Sequence, residues 1–182
     1  MQHLSRLAPV RFGVRLGLVV LVVAGLIGVA APAQAVTSLT AFTLDSEPGD
    51  VIGGGQTFTF TATNATITAT GDDTALTMTV SDGTHNFSAD LAAPTGATLT
   101  TGTTYATTRS GDATNAGLDV TGDGNSCISS TGTMTVREIT LDVSDAIDTL
   151  AVTYEQHCNG ATPALFGELR FQSTVDYTAA SA

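Results

Sequence analysis

The feature that most limits what this chain can fold into is a period of two. Thr57, Thr59 and Thr61 alternate with Phe58, Phe60 and Ala62, and Thr66, Thr68 and Thr70 alternate with Ala65, Ile67 and Ala69. Thr77, Thr79 and Ser81 alternate with Leu76, Met78 and Val80, and His85, Phe87, Ala89 and Leu91 keep the same spacing. Successive side chains of a strand point to opposite faces, so each run has an apolar face and a threonine face. Threonine is β-branched and favours the pleated conformation even in water. No window of ten or more residues carries a helical apolar stripe, and Ser144–Asp148 has room for one helical turn at most.

Turn signals punctuate these runs at Pro48-Gly49-Asp50, Gly53-Gly54-Gly55, Gly71-Asp72-Asp73 and Pro94-Thr95-Gly96. Asp82-Gly83, between two alternating runs, is the strongest hairpin signal. Leu118 with Val120, Met134 with Val136, Leu150 with Val152 and Tyr154, and Leu165 through Phe171 extend the pattern to nine or ten strands. Between Val136 and Ile139 the apolar parity flips, which predicts a β-bulge or a strand that changes sheets near Arg137-Glu138. The expected fold is all-β, an antiparallel two-sheet sandwich of jelly-roll or Greek-key type.

The N-terminal part reads differently. Arg6, Arg11 and Arg15 precede an uncharged stretch from Leu16 to Ala35, which ends Ala33-Gln34-Ala35. A positive start, an apolar run and small residues at a cleavage point describe an export signal. Residues 1–35 are therefore expected to be removed, leaving a single β-sandwich domain over 36–175 and a flexible C-terminal tail over 176–182. The stretch is also long enough to span a bilayer, so a retained anchor is the alternative. Beyond residue 35 only Arg109, Arg137 and Arg170 stand against 17 acidic residues, and the chain has no lysine. Such a charge balance gives no electrostatic footprint for nucleic acid. The acids are mostly Asp, which suits turns better than helices.

Two cysteines, Cys127 and Cys158, remain in the exported part, and an even pair there reads as one disulfide. Closing a loop on the order of 30 residues stabilises by about 3.5 kcal/mol in the chain-entropy account. The runs LAAPTGATLTTGTTYATTR (Leu91–Arg109), GLDVTGDGNSC (Gly117–Cys127), GTMTV (Gly132–Val136) and TYEQHCNGATPALFGELRF (Thr153–Phe171) resemble a group of exported β-sandwich domains of high-GC bacteria. Their pattern is a Gly-rich turn before a first cysteine and Glu-Gln-His-Cys at the end of a long strand, here Glu155 to Cys158. Asn125-Ser126 stands where the group has Arg-Gly, and Met134 where an aromatic is usual. The resemblance implies the fold, export and the disulfide, and no activity.

Three constellations could carry chemistry. Asp119, Thr121, Asp123 and Asn125 lie at the odd positions of a calcium-loop pattern, but Ser130 stands where the closing acid belongs. That leaves calcium as the only candidate cofactor, against the plainer reading of a turn. Glu155 and His157 share one strand face, a spacing that suits a general base or a metal ligand. The competing reading is a structural polar cluster of Glu155, Gln156 and His157 around the disulfide. Sugar platforms need exposed aromatic faces; tryptophan is absent, and Tyr105, Phe166 and Tyr177 are the candidates. There is no Gly-x-Ser-x-Gly and no His-Glu-x-x-His, so no catalytic residues are assigned.

The expectation is an exported, non-enzymatic protein of the cell envelope or medium, acting as a structural or interaction module. The alternative is a calcium-dependent or glycan-binding module. The expected partner is an extracellular protein or a glycan, with no nucleic acid, no stable membrane insertion after cleavage, and a monomeric state.

Overall fold

A computed structural model describes residues 37–176. The expected signal over 1–35, the residue that would follow cleavage, and all of the tail after Asp176, Tyr177 included, lie outside the described residues. Among the described residues the chain forms ten strands, and no helix is long and apolar enough to cross a membrane. The strands are β1 (Leu39–Ser46), β2 (Thr57–Thr61), β3 (Thr66–Gly71), β4 (Ala75–Ser81), β5 (Asn86–Ala92), β6 (Thr104–Thr108), β7 (Ala116–Gly122), β8 (Ser130–Leu141), β9 (Ile147–Cys158) and β10 (Ala164–Ser173).

The alternation sorts side chains as its period demands. Leu76, Met78 and Val80 of β4 and Phe87, Ala89 and Leu91 of β5 are buried, while Thr79 and Asp90 are exposed. Phe42 and Leu44 of β1, Leu118 and Val120 of β7, Met134 and Val136 of β8, and Leu150 and Val152 of β9 complete the same core. Each large apolar side chain buried this way contributes roughly 1.5–3 kcal/mol. The parity flip in β8 is a bulge: Val136 pairs with Val152 and Glu138 with Ala151, so Arg137 is left over.

The expected two-sheet antiparallel sandwich needs correction. The strands form one hydrogen-bonded sheet in the order β2-β1-β10-β9-β8-β6-β7-β5-β4-β3. Its two end strands approach each other, with β3 lying against β1 and β2, so the sheet curls into a nearly closed barrel. The rings of Phe58 and Phe60 from β2 pack on Phe87 of β5 at centroid distances of 5.2 and 5.9 Å and fill the closing side. The sheet is also mixed. β6 and β7 run parallel, through only two residue pairs, Thr107–Ala116 and Thr108–Gly117.

Past those two pairs β6 and β7 separate, and the inner edge of β7 has no strand beside it. Its odd-numbered residues turn their backbone groups toward β5, as the bond from Asp123 N to Asn86 O shows. The groups of Leu118 and Val120 therefore face the gap. Side chains fill it. Gln156 of β9 accepts from Val120 N at 2.8 Å and donates to Val120 O at 3.0 Å. Ser130 of β8 donates to Leu118 O at 2.9 Å. A buried backbone group left unpaired costs about 1–3 kcal/mol, so these two residues hold the barrel wall together where the ladder fails.

Candidate functional site

The Glu155-Gln156-His157 run divides by parity. Gln156 points inward, is fully buried and also donates to Cys127 Sγ at 3.4 Å. Glu155 and His157 point outward together, as their spacing predicts. His157 Nε2 donates to Glu155 Oε1 at 2.8 Å, and His157 Nδ1 donates to the carbonyl of Thr162 at 2.9 Å. Two acceptors on one ring favour the imidazolium. Glu155 above all, then the Thr162 carbonyl, raises the His157 pKa above its ordinary value. With both nitrogens committed, the ring ties β9 to the turn that leads into β10. It presents neither a base nor a free metal-ligating lone pair.

The disulfide joins Cys127, in the loop that folds back after β7, to Cys158 at the end of β9, with Cα atoms 5.1 Å apart. Asn159, in the left-handed region at φ 55°, accepts from Ile128 N at 2.9 Å and Ser129 N at 3.1 Å through Oδ1. The bridge and Asn159 thus pin the same loop from two sides.

The calcium-pattern residues are not brought together. Asp119 and Thr121 sit in β7, where the chain is extended, so Asp119 and Asp123 are roughly 13 Å apart along it. Asp119 Oδ2 accepts from Arg109 Nε at 2.8 Å. Asp123 Oδ2 bonds His85 Nδ1 at 2.6 Å, and its Oδ1 accepts from Asn86 N at 2.8 Å. Asn125 closes the turn through its backbone, as a bridge to Gly122. Among the described residues no group of three or more His, Cys, Asp or Glu is placed to hold a metal ion.

Sequence reasoning did not find the His85–Asp123 pair. The two residues come from the β4–β5 turn and from the turn after β7, and only the pairing of β5 with β7 makes them neighbours. Asp123 raises the His85 pKa, and the His85 bond lowers that of Asp123. The His85 ring also meets Phe58 edge-on at 4.9 Å. The one sequence signal was Asp82-Gly83. Asp82 Oδ1 accepts from Thr84 N and His85 N, and Gly83 takes φ 89°, which places His85 at the mouth of β5.

Beside this pair lies a groove of about 920 Å³, open to solvent. It runs over the outer faces of β3, β4, β5 and β7. Thr79, Ser88 and Thr121 stand side by side there in strand register, with Asn86 and Asp123 at one end. Hydroxyl, amide and carboxylate groups line it beside the apolar Val80 and Phe87, and the Phe87 ring is buried rather than offered as a platform. Tyr105 of β6 is half-buried and donates to Thr98 O in the loop before that strand, and Phe166 is half-buried in β10.

A smaller cleft of about 480 Å³ holds Asp90, Asp119 and Arg109. Asp90 and Asp119 face each other across β5 and β7, Thr77 donates to Asp90 at 2.6 Å, and Asp119 Oδ1 is buried without a partner. No family model matches the chain, and no match is found among curated proteins or solved structures.

Proposed function

We propose that this is an exported, non-enzymatic β-barrel module that works by presenting a surface in the cell envelope or medium. One observation carries the reading: the two histidines among the described residues are spent on the fold. His157 staples β9 to the turn before β10, and His85 staples the β4–β5 turn to the turn after β7. A general base needs a nitrogen within reach of a substrate proton. The disulfide and the resemblance to exported β-sandwich domains support an oxidising, extracellular setting.

The test is a turnover screen with chromogenic esters, glycosides and peptides, run on the wild type and on His157→Gln. The expected result is no hydrolysis above buffer in either protein. Turnover in the wild type that disappears in the variant would overturn the proposal.

The hydroxyl-lined groove favours a second reading, contact with a polyhydroxylated partner such as a glycan. Hydroxyls and amides in register suit repeated hydrogen bonding to sugar hydroxyls. Binding to an immobilised polysaccharide that falls at least about tenfold in Thr121→Arg, a bulky change in the groove wall, supports it. The same assay with added calcium or chelator should give unchanged binding and an unchanged Tm. A site filled at 100 times its Kd would add about 2.7 kcal/mol of stability, so a rise of several degrees with calcium would restore the calcium-dependent alternative.

A further inference from the structure

The groove beside the His85–Asp123 pair and the cleft at Arg109 lie on one face of the sheet. Thr79, Ser88 and Thr121 form a cross-strand row in the groove, and Thr77, Asp90 and Asp119 form the next row in the cleft. Each member of the second row stands two residues from its counterpart on the same strand. Such residues share a face and lie roughly 7 Å apart. Between the rows come only the buried, inward-pointing Met78, Ala89 and Val120, so no side chain walls one hollow off from the other. On β3 the same strip runs from the exposed Thr66, in the groove, to the exposed Thr70, in the cleft. Four residues of strand span roughly 14 Å. The ladders from β3 to β4, β4 to β5 and β5 to β7 run without a register shift, which keeps the rows aligned.

Hydrogen-bonding capacity is left over along this strip. Among the described residues no group bonds the Ser88 or Thr121 hydroxyl or the Asn86 side-chain amide. Asp90 Oδ1 accepts from Thr77 and its other oxygen has no partner among them, and Asp119 Oδ1 is buried without one. Charge narrows what can use that capacity. Carboxylates stand at both ends, Asp123 in the groove and Asp90 with Asp119 in the cleft. Arg109 is the one basic side chain in either lining, and Asp119 holds it through Nε at 2.8 Å. An anionic chain would meet like charge at either end.

We propose that groove and cleft are one binding strip for a linear, uncharged polysaccharide laid along the strands. The inference rests on the glycan reading of the groove and adds the direction, length and charge of the chain it takes. Sugar hydroxyls donate to the free oxygens of Asp90 and Asp119, and both donate to and accept from Ser88, Thr121 and Asn86. A uronate, sulfate or phosphate group only accepts, and meets acceptors at each end. With no aromatic ring to stack on, affinity is spread over many separate hydrogen bonds. Each net bond is modest, so a chain that fills both hollows is held more firmly than one that fills the groove alone.

The test uses the protein recovered after export. It is titrated by calorimetry with size series of linear neutral oligosaccharides, from glucan, mannan, xylan and galactan, and with oligouronates of matched lengths. Affinity for at least one neutral series should climb with length by at least about tenfold before it levels off. Oligouronates should bind at least about tenfold more weakly than neutral chains of the same length. Thr66→Arg, in the groove, should weaken every length. Thr70→Arg, in the cleft, should leave short chains unchanged and abolish the gain with length. Both positions are exposed, so the circular dichroism spectrum and urea midpoint should stay as in the wild type. Should an arginine variant lose its fold, the wild-type length series and the oligouronate comparison decide alone. Affinity that does not rise with length, or a rise that survives Thr70→Arg, overturns the inference and leaves the glycan reading standing. Oligouronates that bind as tightly as neutral chains do the same. Binding to none of these glycans overturns both.

Discussion

A buried amide is costly unless both of its ends are matched, and Val120 matches both ends of Gln156. Gln156→Ala removes the donor and the acceptor together and strands the Val120 N–H and C=O in the barrel wall. The expected loss is about 2–4 kcal/mol, measured as a shift in the urea midpoint with an unchanged slope. Gln156→Glu keeps an acceptor for Val120 N but sets a carboxylate oxygen against Val120 O, so it should recover less than half of that loss. Gly122 makes a second test at this scale. A Cβ there would run into the ring of Phe87. Gly122→Ala should cost about 1–3 kcal/mol as an overpacked site. Phe87→Leu should relieve part of it, so that the double variant loses less than the two singles added. Full additivity would show that the ring is not the obstacle.

Turns are the elements whose chemistry varies with pH. Five aspartates, Asp72, Asp82, Asp112, Asp123 and Asp142, have lowered pKa values because side-chain or backbone donors of their own or a neighbouring turn bond the carboxylate. Their stabilisation is present above the ordinary aspartate value and is lost as pH falls through the lowered folded values. His85 and His157 are raised by Asp123 and Glu155, so their contribution is whole below about pH 6.5 and fades as pH climbs through the raised folded values. Stability should therefore peak on the mildly acidic side of neutrality. The urea midpoint should drop from pH 6 to pH 9, by a small amount because both pairs are partly exposed. In His85→Asn/His157→Gln that alkaline decline should vanish; a decline of the same size in the double variant would assign it to other groups. Much at this scale was legible in the sequence. Alternation fixed the inward faces of β4 and β5, and the parity flip marked the bulge after Val136. The outward pairing of Glu155 with His157 followed from their spacing. β6 was not legible, because Thr104–Thr108 lacks an apolar alternation strong enough to stand out from the loops around it. Missing β6 hid the parallel pair with β7. It also hid the gap that Gln156 fills. The meeting of His85 with Asp123 rests on the β5–β7 pairing, and strand order is set by long-range pairing that leaves no local mark.

At the scale of the whole molecule the disulfide ties the β7 side of the wall to the β9 side across the weakest part of the ladder. Cys127 and Cys158 are 31 positions apart. Replacing both by serine should cost about 3–4 kcal/mol, which lowers Tm by roughly 10 °C in a domain of this length. Calorimetry with and without reductant checks it, and a Tm unmoved by reduction of the bridge would show that Asn159 and Gln156 hold the loop unaided. The sheet order has a further consequence, for time rather than energy. β1 lies between β2 and β10, so the first of the described strands needs the last of them to cover one of its edges. Phe42 and Leu44 meet Phe60 and Phe58 of β2 early, but their β10 side stays open until Leu165 and Leu169 have been synthesised, and the β1–β10 ladder closes a loop that spans nearly the whole described chain. Closure of this wall therefore follows the synthesis of β10 and is slow for the size of the sheet, and a truncated chain without β10 keeps only β2 as a native partner for β1.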